Sequence, residues 1–148
     1  MTVETLNRFL KTHQARFRLI RHERPIVRRE EAEGIFPPEQ AVSTLILQSG
    51  AGLIAALAGS GRGRLDLNQL KLRLNVPSLT LAPPHRVKEK TGFAVGAAPL
   101  IGHGLPCLVD KGIRPFDFIY GGSGDPLCTL EIAPEDVIRL NKVILFFD

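Results

Sequence analysis

The sequence predicts a mixed α/β domain of the α+β kind, and three observations carry the prediction. Short segments with an apolar stripe and a capping residue recur along the chain, strand-like runs lie among them, and glycine or proline marks most joins. At 148 residues, the chain can bury a core and reads as a single domain over 1–148. Its 44% hydrophobic and 23% charged residues are ordinary for a globular protein.

Thr2 can cap a first helix with the apolar stripe Val3, Leu6, Phe9 and Leu10. Phe17-Arg18-Leu19-Ile20-Arg21 alternates apolar and charged, as a half-exposed strand does. Arg28 to Glu33 reads as a short helix closed by Gly34. Ala41–Leu47 and Leu53–Ala58 are apolar runs separated by Gln48-Ser49-Gly50-Ala51-Gly52, a strand hairpin. Asp66, with Gln69 three residues on, has the form of a capping box opening a helix over Leu67, Leu70 and Leu74. Pro84–Thr91 is a further helix, with proline at its start and Gly92 just past its end. Strand-like pieces follow at Phe93–Val95, Pro106–Asp110, Phe118–Tyr120 and Thr129–Ile132, and Pro134-Glu135-Asp136 opens a last helix through Leu140. The run Val143-Ile144-Leu145-Phe146-Phe147 is apolar enough to pair as a strand, to cover the core or to form an interface, and folding inward is expected.

No apolar run reaches the length that crosses a bilayer, and MTVETLNRFLK lacks a basic-then-apolar signal pattern, so the cytoplasm is the expected location. Two cysteines, Cys107 and Cys128, are too few for a disulfide scaffold and read as free thiols. The net charge of +4 is unevenly spread. Residues 1–29 hold eight Lys/Arg and two Glu, concentrated at Arg16, Arg18, Arg21, Arg24, Arg28 and Arg29. That cluster is either a solvated basic face or an electrostatic footprint for a polyanion. With no Trp and one Tyr, extended base-stacking platforms are not expected.

Several familiar motifs fail on inspection. Gly59-Ser60-Gly61-Arg62-Gly63-Arg64 lacks the Gly-Lys-Ser/Thr ending of a phosphate loop. Gly121-Gly122-Ser123-Gly124-Asp125 has Asp125 where a nucleophile elbow needs glycine. The four histidines share no ligand spacing with the cysteines, so neither a metal nor another cofactor is expected. Cys107, four residues after His103, is either a thiolate nucleophile or, more ordinarily, a small buried thiol.

One stretch remains, Lys90-Thr91-Gly92-Phe93-Ala94-Val95-Gly96-Ala97-Ala98-Pro99-Leu100-Ile101-Gly102-His103-Gly104, with four glycines, a proline and one histidine. Ordering that much glycine is entropically costly. His103, flanked by Gly102 and Gly104, is either a solvent-facing turn residue or a polar group at a pocket mouth.

Arg64-Leu65-Asp66, Thr91-Gly92-Phe93, Gly96-Ala97-Ala98-Pro99, Gly102-His103, Gly121-Gly122-Ser123-Gly124-Asp125-Pro126 and Thr129-Leu130-Glu131-Ile132 with Pro134, in that order, resemble the YbaK/ProX-type aminoacyl-tRNA deacylases. These are related to the editing domain inserted in bacterial prolyl-tRNA synthetases. The resemblance covers nearly the whole chain and is closest over residues 64–140. It implies a partly curled, mostly antiparallel mixed β-sheet with short helices packed around it. It also implies hydrolysis of the ester that joins a wrong amino acid to the 3′ acceptor end of tRNA, with a synthetase as a possible contact. Carried over residue by residue, Gly96, Ala97, Ala98 and Pro99 line the aminoacyl pocket. Their bare backbone can bring N–H groups to the developing oxyanion, and the small side chains at 97 and 98 can act as a size sieve. His103 would orient the substrate or the water, and Gly102 would border it.

Ser43 stands where the resembled family carries a lysine that holds the acceptor end. A serine hydroxyl is shorter and uncharged. Arg21, Arg28 or Arg62 could take over that contact, the activity could be slow or substrate-shifted, or catalysis could be lost. The last case would leave a silent module that binds a tRNA 3′ end or a small molecule.

Overall fold

The computed structural model describes residues 2–26, 28–94 and 97–148, with Arg29 described by its backbone alone. Its elements are α1 (Val3–Thr12), β1 (Phe17–Arg21), β2 (Val42–Ser49), β3 (Gly52–Gly59), α2 (Leu67–Leu74), β4 (Leu79–Leu81), α3 (Pro84–Thr91), β5 (Pro106–Asp110), β6 (Ile119–Gly122), β7 (Cys128–Ile132), α4 (Pro134–Leu140) and β8 (Lys142–Phe147). Short 3-10 turns occupy Arg29–Ala32, Pro38–Gln40 and Lys111–Ile113. The α+β class is as the sequence predicts.

The strands divide between two sheets. One is antiparallel, ordered β1-β7-β6; the other is ordered β4-β2-β3-β5-β8, with β4, β2 and β3 antiparallel and β3, β5 and β8 parallel. Four of the six ladders are thus antiparallel. Among the described residues, an isolated parallel bridge, Ala41 to Tyr120, joins the sheets. The apolar terminal run does pair as a strand, β8, with Ile144 as the extra residue of a bulge opposite Cys107 and Leu108.

Alternation along β2 and β3 explains how the larger sheet is covered on both faces. Val42 and Leu57 face a core shared with Leu6 and Leu10 of α1, Ile119 of β6, and Leu130 and Ile132 of β7. Leu47, Ala56 and Ile54 face the other way, against Leu70 of α2, Leu108 and Phe147. Farther along the first face, Ile46 and Ala55 pack with Ala82, Val87 of α3 and Ala98.

The local rules mostly hold. Thr2 forms a reciprocal capping box with Thr5. Asp66 accepts from the Gln69 N–H at 3.1 Å, the one half of the expected box that forms. Gly34 (φ +82°) follows the 3-10 turn that replaces the expected helix over Arg28–Glu33, and Gly92 (φ +81°) ends α3. Asp136 accepts from the Arg16 N–H at 2.8 Å and from Arg139 at 2.9 Å, tying α4 to the start of β1.

The strand expected at Phe93–Val95 does not form at Phe93 and Ala94, and Val95 lies outside the described residues. The Ala97 N–H donates to the Ala94 carbonyl at 3.0 Å, and the Phe93 ring lies over Gly124. The short strand β4, squeezed between Pro77 and Pro83, is absent from the sequence-based expectation. Among the described residues, no helix is long and apolar enough to cross a membrane.

Candidate functional site

The loop from Ala97 to His103 is clamped between two strands. On one side the Thr44 hydroxyl of β2 donates to the Pro99 carbonyl at 3.2 Å. On the other, the Leu100 N–H donates to the Gly122 carbonyl of β6 at 2.9 Å. Asn141, at the end of α4, donates its amide N–H to the Leu100 carbonyl at 2.9 Å.

β6 can approach this closely because of its glycines. A Cβ on Gly122 would sit 2.3 Å from the Ala98 carbonyl oxygen, and one on Gly121 would sit 2.7 Å from both Leu100 and the Val42 carbonyl oxygen. Real side chains never reach such distances, so this pair of glycines is what lets the loop seat. Sequence reasoning weighed Gly121-Gly122 as part of an elbow motif and of the family resemblance, and missed this role. A close backbone approach is a non-local property, and a paired glycine inside a strand was its one visible sign.

Ala98 is buried against Ile46, Ala55 and Val87, and Pro99 is buried beside it. Ala97 is half-buried, and Gly96 lies outside the described residues. The Ala97 N–H is spent on Ala94, and Pro99 has none to give. Among the described residues, the backbone N–H groups of Ala98, Ile101, Gly102, His103 and Gly104 carry no hydrogen bond. Gly102 (φ +98°) and Gly104 (φ +72°) adopt backbone conformations that other residues rarely take. With Phe9, Ile101, Leu105, Pro106, Leu140, Asn141 and Lys142, they line a cleft of about 320 Å³.

His103 is not a solvent-facing turn residue: it is 7% exposed. Burial depresses its pKa to about 4, so the ring is neutral near pH 7. Its Nδ1 accepts from the Leu105 N–H at 3.1 Å. The proton of the neutral ring therefore resides on Nε2, which is buried and has no partner. In this arrangement His103 is a hydrogen-bond donor in waiting rather than a general base.

The other sequence candidates are dispersed. Ser43 is exposed and lies on the face of β2 shared with Leu45 and Leu47, opposite to Thr44 and the loop. Arg62 is occupied: its guanidinium pairs with Asp110 at 3.1 Å, donates to the Asp148 carbonyl at 2.6 Å, and lies over the Phe147 ring. Arg21 ends β1 and Arg28 precedes the first 3-10 turn; both are exposed. Two members of the basic cluster are already engaged, Arg16 by Glu135 at 2.7 Å and Arg18 by Glu131 at 3.0 Å.

Two nucleophile ideas close here. Cys107 is fully buried, and burial pushes its thiol up to about 12, which leaves no thiolate at neutral pH. Ser123 is buried and donates to the Cys128 carbonyl at 2.6 Å, closing the β6–β7 turn. Among the described residues, no group of three or more His, Cys, Asp or Glu stands together as a metal-ligand set.

Comparison with known proteins puts this geometry in context. The chain shares 38% identity over 76 residues with a proline–tRNA ligase of Moorella thermoacetica; the match covers 49% of this chain and 13% of the ligase. Among solved structures, a hypothetical protein superposes with a TM-score of 0.83 at 25% identity, covering 95% of this chain and 96% of its own. Another, described as a candidate trans-editing enzyme for prolyl tRNA synthetase, gives 0.80 at 24% identity over 97% of this chain and 93% of its own, a likeness of fold. The family model of the aminoacyl-tRNA editing domain matches residues 27–140, a span that includes the clamped loop, both strands that hold it and His103. By that match the chain belongs to the aminoacyl-tRNA editing domain family.

Proposed function

We propose that this chain is a freestanding trans-editing hydrolase, one domain over 1–148, that cleaves the ester between a mismatched amino acid and the 3′ end of tRNA. Membership of the editing-domain family is the observation that carries the reading. Attack of water on the ester carbonyl builds negative charge on its oxygen, and preorganised N–H donors stabilise that charge. The loop offers such donors at Ala98 and at Ile101 through Gly104. His103 adds an Nε2–H that orients the carbonyl or the water.

In this reading Gly96 through Pro99 shape the aminoacyl subsite. The methyl group of half-buried Ala97 limits its size, whereas that of Ala98 packs into the core, and small amino acids are the expected cargo. Gly102 borders the substrate. Arg21 and Arg28, both exposed, are the candidates of the basic cluster for a contact with tRNA. Ser43, on the face of β2 away from the loop, does not supply the family's lysine contact, whose loss lowers affinity by roughly ten- to a hundredfold if nothing replaces it. The cytoplasm, where charged tRNA resides, is the corresponding location, and a synthetase is a natural neighbour.

The experiment is deacylation of Ala-, Ser-, Cys- and Pro-tRNA by the wild type and by Ser43→Lys. Turnover of at least one substrate by the wild type supports the reading. Activity confined to Ser43→Lys shows an intact pocket whose missing anchor can be supplied from position 43. Two inert proteins leave the binding module instead.

A further inference from the structure

A second concentration of positive charge lies outside the basic N-terminal segment. Residues 62–90 hold seven Lys/Arg against Asp66 and Glu89. Apart from Arg62 and Arg64, these cations lie on α2 and α3, which flank β4 from opposite faces of the larger sheet. β4 is one of the two edge strands of that sheet, so both helices border the same edge. Arg73, Lys88 and Lys90 are exposed, and Lys71 and Arg86 are half-buried.

Unlike Arg16 and Arg18, none of these five has a carboxylate partner among the described residues. Lys88 reaches only the Gly92 carbonyl, at 3.0 Å. Arg86 keeps a buried Nε–H with no acceptor. α3 also precedes the clamped loop in sequence, and its Val87 packs with Ala98.

We propose that the rim formed by α2, β4 and α3 carries the phosphodiester backbone of the tRNA acceptor stem, delivering its 3′ end to the loop that follows α3. The proposal rests on the editing reading for the identity of the partner; charge complementarity and the missing carboxylates select the surface. Cations without carboxylate partners on two helices beside one sheet edge suit a polyanion, which releases its counterions on binding. Lys71, Arg73, Lys88 and Lys90 also sit in the last turns of their helices, where they offset the helix dipole. That role affects stability and leaves RNA affinity alone, so the two are separable.

The test is the affinity of the full chain for uncharged tRNA across a salt series. Lys88→Gln/Lys90→Gln and Lys71→Gln/Arg73→Gln are compared with Arg8→Gln/Lys11→Gln, an equal change in charge on exposed positions of α1. Each rim pair should weaken binding about tenfold or more and flatten the log–log salt slope by about 2, whereas the α1 pair stays within about twofold. On the unaltered protein, tRNA should shield Lys71, Lys88 and Lys90 from an amine-reactive reagent. Rim pairs that bind like the wild type, an α1 pair that loses as much, or unshielded rim lysines would overturn the proposal. Uncharged tRNA needs no hydrolysis. A chain that binds through the rim yet cleaves nothing therefore sinks the editing reading, and one that cleaves but ignores the rim sinks this one.

Discussion

A Cβ placed on Gly122 would lie 2.3 Å from the carbonyl oxygen of Ala98, which couples β6 to the candidate loop with no room between them. Neither atom belongs to a flexible side chain, so relief requires backbone movement. Gly122→Ala is expected to cost about 1–3 kcal/mol of stability and to displace the Ala98–Leu100 backbone. Thermal unfolding reads the first effect, and hydrogen exchange at the Leu100 N–H, bonded to Gly122, reads the second. An unchanged melting temperature with unchanged exchange would show that the close approach is not maintained.

His103 makes stability depend on pH in a defined direction. Its pKa falls from 6.5 to about 4 because burial disfavours the charged ring. Between those values the unfolded chain binds the proton more readily than the folded one, so stability falls as pH is lowered through that window. The slope contributed is at most about 1.4 kcal/mol per pH unit. His103→Gln should lose this component. Denaturant unfolding at pH 7 and pH 5 checks it, and equal pH dependence in both proteins would contradict the buried neutral ring.

Arg62 is predicted to matter first for stability. Its partner Asp110 is also held by the Gly59 and Gly112 N–H groups at 2.9 and 2.8 Å. Arg62→Gln removes the charge while Asp110 keeps those two donors, so the expected loss is about 2–3 kcal/mol, short of a fully stranded buried carboxylate. Urea denaturation measures it. A variant as stable as the wild type would show that the Arg62–Asp110 pair does not form.

Periodicity and capping made much of the fold legible. The stripe of α1, the Thr2 cap, the β2–β3 hairpin and the Pro84 start of α3 are all local patterns, and local rules suffice for them. What escaped depends on distant partners. Phe93 looks like a strand residue until Gly124 offers it a surface. β4 is only three residues long and is specified by its pairing with Leu47–Ser49. Ser43 was aligned with a lysine position, but its facing follows from strand register, which one sequence does not reveal. Arg62, read as a reserve tRNA contact, meets Asp148, 86 residues away. Within the site, the glycine-rich loop was visible as a motif, whereas its clamp of Thr44, Gly121, Gly122 and Asn141 was not.

The most direct test of the central claim is wild-type release of amino acid from a panel of Ala-, Ser-, Cys- and Pro-tRNA, beside a no-enzyme control and His103→Gln. The account predicts turnover of at least one small aminoacyl-tRNA, reduced in His103→Gln chiefly through kcat, because the Nε2–H acts on the reacting ester or water. A folded wild type that accelerates hydrolysis of none of the four would contradict it.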